Sequence, residues 1–272
     1  VLNYNNEVPE YNLRNNWKKI EGLFPNNRPI TFASVNDLDD PYYNPIFNAP
    51  ILTYNVYDGL SPGMRFHNRA ILNRPFVYDI NPTYSIKSET ITGSAIFMVN
   101  KDYRNSNLFN VRYSLSGNYF HYAPDATYLK LNPMVLMQIR GDNFRDNRKR
   151  LIYARQVIVD RQKSAIVIDN SLEDYSVFNV KYINSRTEVT NHFSFTGDVQ
   201  FSGEFGKIST EFQFRRLFKD NHQVNLRLFA GSFLYNTSNS DFFSFALDRP
   251  TDYLFDYAYL GRSSSTGLVS QE

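Results

Sequence analysis

The 272-residue chain contains no cysteine. That excludes a disulfide-stapled module, a thiol enzyme, a Cys-ligated zinc site and an iron–sulfur protein. Histidine is also sparse, and His67, His121, His192 and His222 lie far apart in sequence. No His-Glu-x-x-His zinc signature exists among them. A Gly-x-Ser-x-Gly elbow and a Gly-rich phosphate loop with its Lys are equally absent. Charge of one sign is scarce: 29 Lys+Arg stand against 27 Asp+Glu, a net of +2. This near-balance argues against nucleic acid as a partner. No run of about 18 apolar residues is present, which excludes a transmembrane helix but not a membrane-spanning strand. No charged n-region with an apolar stretch follows Val1, so the chain reads as mature or as a segment of something longer.

What the chain does have is 20 Tyr, 23 Phe and 31 Asn. A disordered chain would not carry so many aromatics. The length suits one large domain or two ordinary ones. Residues 1–62 hold Pro9, Pro25, Pro29, Pro41, Pro45, Pro50 and Pro62. Proline lacks a ladder N–H, so this segment is expected to be an irregular Pro/Asn-rich linker or strap, with a short helix over 15–22. From Gly63 onward, two-residue alternation takes over. Phe76, Tyr78, Ile80, Tyr84 and Ile86 share a face, with Pro82 expected to mark a bulge or a strand end. Val111, Tyr113, Leu115, Gly117 and Tyr119 oppose Arg112, Ser114, Ser116 and Asn118. Residues 128–140 repeat the pattern. Val189, Phe193, Phe195, Gly197, Val199 and Phe201 oppose His192, Ser194, Asp198 and Gln200. Ile208, Phe212 and Phe214 oppose Glu211 and Arg215; Val224, Leu226 and Leu228 oppose Arg227.

Strand length decides the class. Soluble sheets use strands of about 5–6 residues; these run to about twice that, as a tilted membrane wall requires. Aromatics near strand ends, such as Tyr103, Phe109, Tyr119, Phe120 and Tyr122, are expected to form a girdle. The expected fold is therefore all-β: an antiparallel meander forming a transmembrane outer-membrane β-barrel over 63–272, of about eight to ten strands and partial in this chain. A large soluble β-sandwich is the alternative. Val111, Tyr113, Leu115, Phe193, Phe195, Val199, Phe212, Leu226 and Leu228 are expected to face lipid. Arg112, Asp198, Glu211, Arg215 and Arg227 are expected to face the lumen. Asp248, Arg249 and Asp252 are expected in a latch or partner contact, with Arg249 ion-paired.

Other charge-bearing segments carry weaker signals. Asp37, Asp39 and Asp40 cluster hard oxygen ligands but lack a full calcium loop. Arg145, Arg148, Lys149 and Arg150 are diluted by Asp142 and Asp146, which fits a solvated loop or contact with anionic lipid headgroups better than nucleic acid.

The run Tyr57-Asp58-Gly59-Leu60-Ser61-Pro62-Gly63-Met64-Arg65-Phe66-His67-Asn68, then Leu72-Asn73-Arg74-Pro75-Phe76, resembles the C-terminal barrel region of large Bacteroidetes cell-surface proteins of the gluzincin-type, aminopeptidase-like zinc metallopeptidases. Tyr113-Ser114-Leu115-Ser116-Gly117, Arg155-Gln156-Val157-Ile158-Val159-Asp160-Arg161 and residues 247–257 carry the same resemblance. It implies the outer membrane of a Gram-negative bacterium, with the bilayer, lipopolysaccharide and other outer-membrane or periplasmic proteins as partners. It transfers no catalytic residue. No cofactor is expected in this chain, and any zinc would sit in an upstream domain of the intact protein. A pore, or a subunit of a secretion or assembly complex, is the rival reading.

Overall fold

Alternation of side-chain polarity with period two builds one sheet of twelve strands in the computed structural model, which describes residues 7–10, 13–16, 28–34, 42–70, 74–103, 105–141, 146–166, 174–238 and 245. The strands are β1 (Ile30–Ser34), β2 (Asn44–Asn55), β3 (Gly59–His67), β4 (Phe76–Ser85), β5 (Thr90–Asp102), β6 (Leu108–Ala123), β7 (Ala126–Ile139), β8 (Arg148–Arg161), β9 (Tyr175–Thr187), β10 (Asn191–Phe201), β11 (Phe205–Leu217) and β12 (Gln223–Asn236). Each pairs with its sequence neighbours, so the order in space is the order in sequence. All pairs from β2 to β12 are antiparallel, while β1 joins β2 in parallel. The only other element among the described residues is a 3-10 turn at Leu13–Asn16. The sheet does not close: β1 and β12 are its edges. The fold is thus an all-β antiparallel meander of the kind that makes part of a barrel.

Strands β2 to β12 run from 9 to 16 residues. The sheet starts earlier than Gly63, because β1, β2 and the first half of β3 lie within 1–62. Proline was the reason to expect irregular chain there, and its placement explains the difference. Pro50, Pro62, Pro82 and Pro133 sit on one face, opposite Met64, Leu52, Gly93 and Leu115. Each lacks a ladder donor; pairing stays continuous on the β2–β3, β4–β5 and β6–β7 sides and is interrupted between β3 and β4 and, at Pro133, between β7 and β8. Pro82 does not end β4 either. Its partner on β5 is Gly93, where a Cβ would lie 2.1 Å from the Asn81 carbonyl oxygen, and on β3 a Cβ on Gly63, the partner of Thr83, would lie 2.2 Å from the Pro82 carbonyl oxygen. Gly93 also has φ +139°, a conformation that L side chains rarely adopt. Val189 belongs to the β9–β10 turn rather than to a strand.

The sheet curls. Asp58, in the β2–β3 turn, reaches His121 at the end of β6, past β4 and β5. Phe120, Tyr128, Val157, Val159, Tyr175, Val177 and Phe205 meet in one buried cluster drawn from β6, β7, β8, β9 and β11. The face that carries this cluster is the inner face, and the opposite one is the outer face.

Candidate functional site

Strand alternation and register assign every residue of the sheet to one face. The outer face is apolar. On β10, Phe193, Phe195, Val199 and Phe201 lie opposite Phe214, Phe212, Ile208 and Gly206 of β11. The next strand continues the surface with Leu226 opposite Phe214 and Leu228 opposite Phe212. Toward the other edge, Phe97 and Val99 face Leu115 and Tyr113, which face Pro133 and Val135. Large apolar side chains stand exposed here, including Ile91 at 71 % and Leu228 at 57 %. An apolar surface of this extent in water marks an interaction face.

Charge on the outer face is confined to its margins. Between β2 and β12 the charged outer-face residues, among those described, are Lys101, Arg148, Arg150, Arg186 and Arg216 at one end and Asp160 at the other. On β8 the uncharged stretch runs from Arg150 to Asp160 through Ile152, Ala154, Gln156 and Ile158. At ~3.3 Å per residue these margins are ~33 Å apart along the strand. A strand tilt of about 35–45° projects this to ~25 Å, the height of the apolar band of an outer-membrane barrel.

The inner face has the opposite chemistry. Lys181 Nζ pairs with Asp198 Oδ2 at 3.0 Å. Asn179 is fully buried and donates to Asp198 Oδ1 at 2.6 Å, while accepting from Arg155 Nε at 3.0 Å. Gln200 donates to the same Asp198 oxygen at 3.1 Å. Arg227 Nε donates to Glu211 Oε1 at 2.5 Å, and Arg112 Nε donates to Asn100 Oδ1 at 2.8 Å. Arg65 grips Asp79 with two hydrogen bonds, at 2.9 and 2.6 Å. The buried carboxylates of Asp198 and Asp79 persist because they are paired and hydrogen-bonded, while Arg112 and Arg227 remain exposed. Toward the end marked by Asp160, the inner face turns apolar and forms the buried cluster. Phe205 and Val177 are fully buried there, and Phe233 packs edge-on to Phe205 at 6.5 Å.

At that same end a carboxylate is fully occupied. Asp58 Oδ1 accepts from Ser88 Oγ at 2.7 Å and contacts His121 Nδ1 at 2.7 Å; Asp58 Oδ2 accepts from Asn55 Nδ2 at 2.7 Å and from His121 N at 2.9 Å. Ser88 donates to the carboxylate, not to the imidazole, so this is not a relay that activates a nucleophile. It ties the β2–β3 turn to β6. Nearby, Ser164 Oγ and Ala165 N donate to Asp125 in the β6–β7 turn, at 2.6 and 2.7 Å. These hydrogen bonds, Ser164's first, hold the Asp125 carboxyl below the usual range.

Val111, Tyr113, Leu115, Phe193, Phe195, Val199, Phe212, Leu226 and Leu228 all fall on the outer face. Val111 is nevertheless 4 % exposed, flanked in register by Lys101 and Met137. Arg112, Asp198, Glu211, Arg215 and Arg227 fall on the inner face, though only Asp198 is buried. Phe120 and Tyr122 are not part of an outer girdle: Phe120 is in the inner cluster, and Tyr122 packs against it and donates to the Gln162 carbonyl. Asp248, Arg249 and Asp252, the acidic run at Asp37, Asp39 and Asp40, and Asp142 and Arg145 lie outside the described residues. Lys181, Asn179 and Asp79 were missed in sequence. Each sits between outward aromatic or aliphatic residues of its strand, and that alternation was the available signal.

No group of His, Cys, Asp and Glu among the described residues is arranged to hold a metal ion. Among the described residues no helix is long and apolar enough to cross a membrane, which says nothing of crossing by strands. What the fold and its faces define is a curled β-meander with one apolar surface, charged only at its margins, and one polar, charged surface. No family model, no curated protein and no solved structure matches the chain.

Proposed function

We propose that the chain is the wall of an outer-membrane β-barrel that anchors or scaffolds a larger surface or periplasmic assembly, with no catalysis of its own. The observation that carries this reading is the outer face, where charge is excluded over ~25 Å of projected height and returns at both margins. Lipid demands that each backbone donor and acceptor be satisfied within the wall. The long antiparallel ladders do this over most of the sheet; the pairing thins between β3 and β4 and at Pro133 between β7 and β8, and β1 and β12 are open edges.

The inner apolar cluster favours an anchor over a pore. A conducting lumen is lined by polar groups and water, whereas here Phe120, Tyr128, Val157, Val177 and Phe205 fill one end. The resemblance to barrel regions of gluzincin-type metallopeptidases supports the anchor form of the reading, with zinc chemistry in a domain preceding Val1.

Fractionation tests the reading. The protein is expected in outer membranes, resistant to carbonate wash, and with heat-dependent gel mobility. Recovery in the soluble fraction without detergent overturns it. In planar bilayers the intact protein is expected to give no stable conductance, and stepwise single-channel currents would favour the pore.

A further inference from the structure

The outer-face cations form a pattern. Lys101 lies in the register row of Val111, Met137, Ile152 and Tyr182. Arg150 lies one row further along, opposite Asn184. Arg148 and Arg186 oppose each other in the next row. Arg216, opposite Asn191, lies one row beyond that. The cations thus climb six residues over the six strand steps from β5 to β11, one residue per strand. A barrel whose shear equals its strand number has this stagger, with a tilt of about 36°. In a wall so tilted, the five cations form one belt directly above the uncharged band, with Arg148 and Arg150, two residues apart on β8, on either side of its mean height.

The belt lacks its complement of anions. Like charges directly opposite one another across strands repel, yet Arg148 and Arg186 are so placed. Two carboxylates among the described residues touch the belt: Glu188 lies 2.7 Å from Arg186, and Asp146 Oδ1 accepts from the Arg148 backbone N–H at 2.9 Å. The cationic groups other than that of Arg186 are positioned by neutral groups. Arg148 Nε donates to Asn184 at 2.9 Å, Arg150 Nη2 donates to the Arg140 carbonyl at 2.5 Å, and Arg216 lies over the Phe218 ring. Arg150 Nε is buried and without a partner. Guanidinium groups held apart by neutral scaffolding and short of anions are suited to phosphate oxygens.

We propose that this belt binds the phosphate groups of an anionic glycolipid in the leaflet at its end of the wall, its acyl chains lying along the apolar face below. The proposal rests on the membrane-wall reading. Connection lengths select the leaflet. At the end opposite the belt, residues 56–58, 86–89, 124–125 and 202–204 make turns of at most four residues, with 162–174 the exception. At the belt end, 68–75, 103–107, 140–147 and 218–222 are longer, at five to eight residues, with the three-residue turn 188–190 the exception. Short turns face the periplasm and longer loops the exterior, so the belt meets the outer leaflet.

The test uses the full protein purified in mild detergent and bisphosphorylated lipid A as probe, read by native mass spectrometry. Wild type is expected to retain the glycolipid, with at least tenfold less retained by Arg148→Gln/Arg186→Gln and partial recovery in Arg148→Lys/Arg186→Lys. The inner-face control Arg112→Gln should bind like wild type. Dephosphorylated lipid A should bind poorly, and millimolar inorganic phosphate should not compete. Unchanged retention by the Gln double variant overturns the proposal, as does retention indifferent to lipid phosphate. Full displacement by inorganic phosphate makes the belt a free-phosphate site and also overturns it. A protein that inserts into bilayers but fails these tests loses only the belt, whereas failure to insert removes the membrane reading itself.

Discussion

Replacing Phe195 by Arg places a cation on the outer face well inside the uncharged band. Phe195 is four residues from Asn191, which pairs with Arg216 of the cationic margin. Four residues are ~13 Å along the strand and ~10 Å in projected depth at a tilt of about 40°. That is close to the middle of a ~25 Å band, where Arg on a barrel's lipid face costs about 2–4 kcal/mol. The folded fraction at equilibrium should therefore fall by a factor of about 30 to 900. Loss of the tilted ring contact between Phe195 and Tyr182, 6.4 Å between centroids, adds to the penalty. Its neighbour Thr196 points to the inner face beside Glu211, so Thr196→Lys should cost under ~1 kcal/mol. Urea titration of folding into lipid vesicles, followed by gel mobility, measures both variants. Equal stability of the two, or a larger loss for Thr196→Lys, would refute the assignment of faces.

Leu226→Asp should likewise impair insertion, scored as loss of the heat-modifiable band after vesicle refolding. Phe205→Ala empties the centre of the inner cluster and should cost ~3–5 kcal/mol in the same titration, with no gain of activity. Asp198→Leu leaves Lys181 and Asn179 without their partner and should cost ~3 kcal/mol, while the double change Lys181→Met/Asp198→Leu should recover most of it; a loss in the double variant equal to that in the single one would show the pair to be unimportant. The Asp125 carboxyl is held below its ordinary pKa of about 3.9. Its anchoring of Ser164 is thus fully present above that value and lost as pH falls through the lower folded value. Proteolytic cutting near Ser164 should rise only in strong acid for wild type, and already at neutral pH for Asp125→Ala.

Much of this was legible because a sheet with two unlike faces writes its register into the sequence. Phe193, Phe195 and Val199 against Ser194, Asp198 and Gln200 gave both strand and face directly. Proline misled the reading at β2 and β3. Its cost depends on what lies opposite, and nothing local says that Pro62 pairs with Leu52 or that Pro82 faces Gly93. Phe120 and Tyr122 were misplaced because an aromatic near a strand end suits a girdle or a plug equally well, and the distinction is only the parity of its position. The partners of Asp198 were hidden for another reason. Lys181 and Asn179 lie about 20 residues away on β9, and only the strand register brings them together. The latch at Asp58 and His121 spans 63 positions, beyond any local pattern.

The absence of cysteine permits a direct test of the two faces, since each introduced thiol is the only one to label. Single Cys variants from Asn191 to Phe201 and from Phe205 to Leu217, spin-labelled in lipid vesicles, should show a period-two exchange between a lipid-soluble and a water-soluble paramagnetic probe. The lipid-soluble probe should win at positions 193, 195, 199, 208 and 212, and lose at 194, 198, 211 and 215. Accessibility that does not alternate, or a water-soluble probe that reaches 195, 199 and 212 as readily as 211, would contradict the membrane wall.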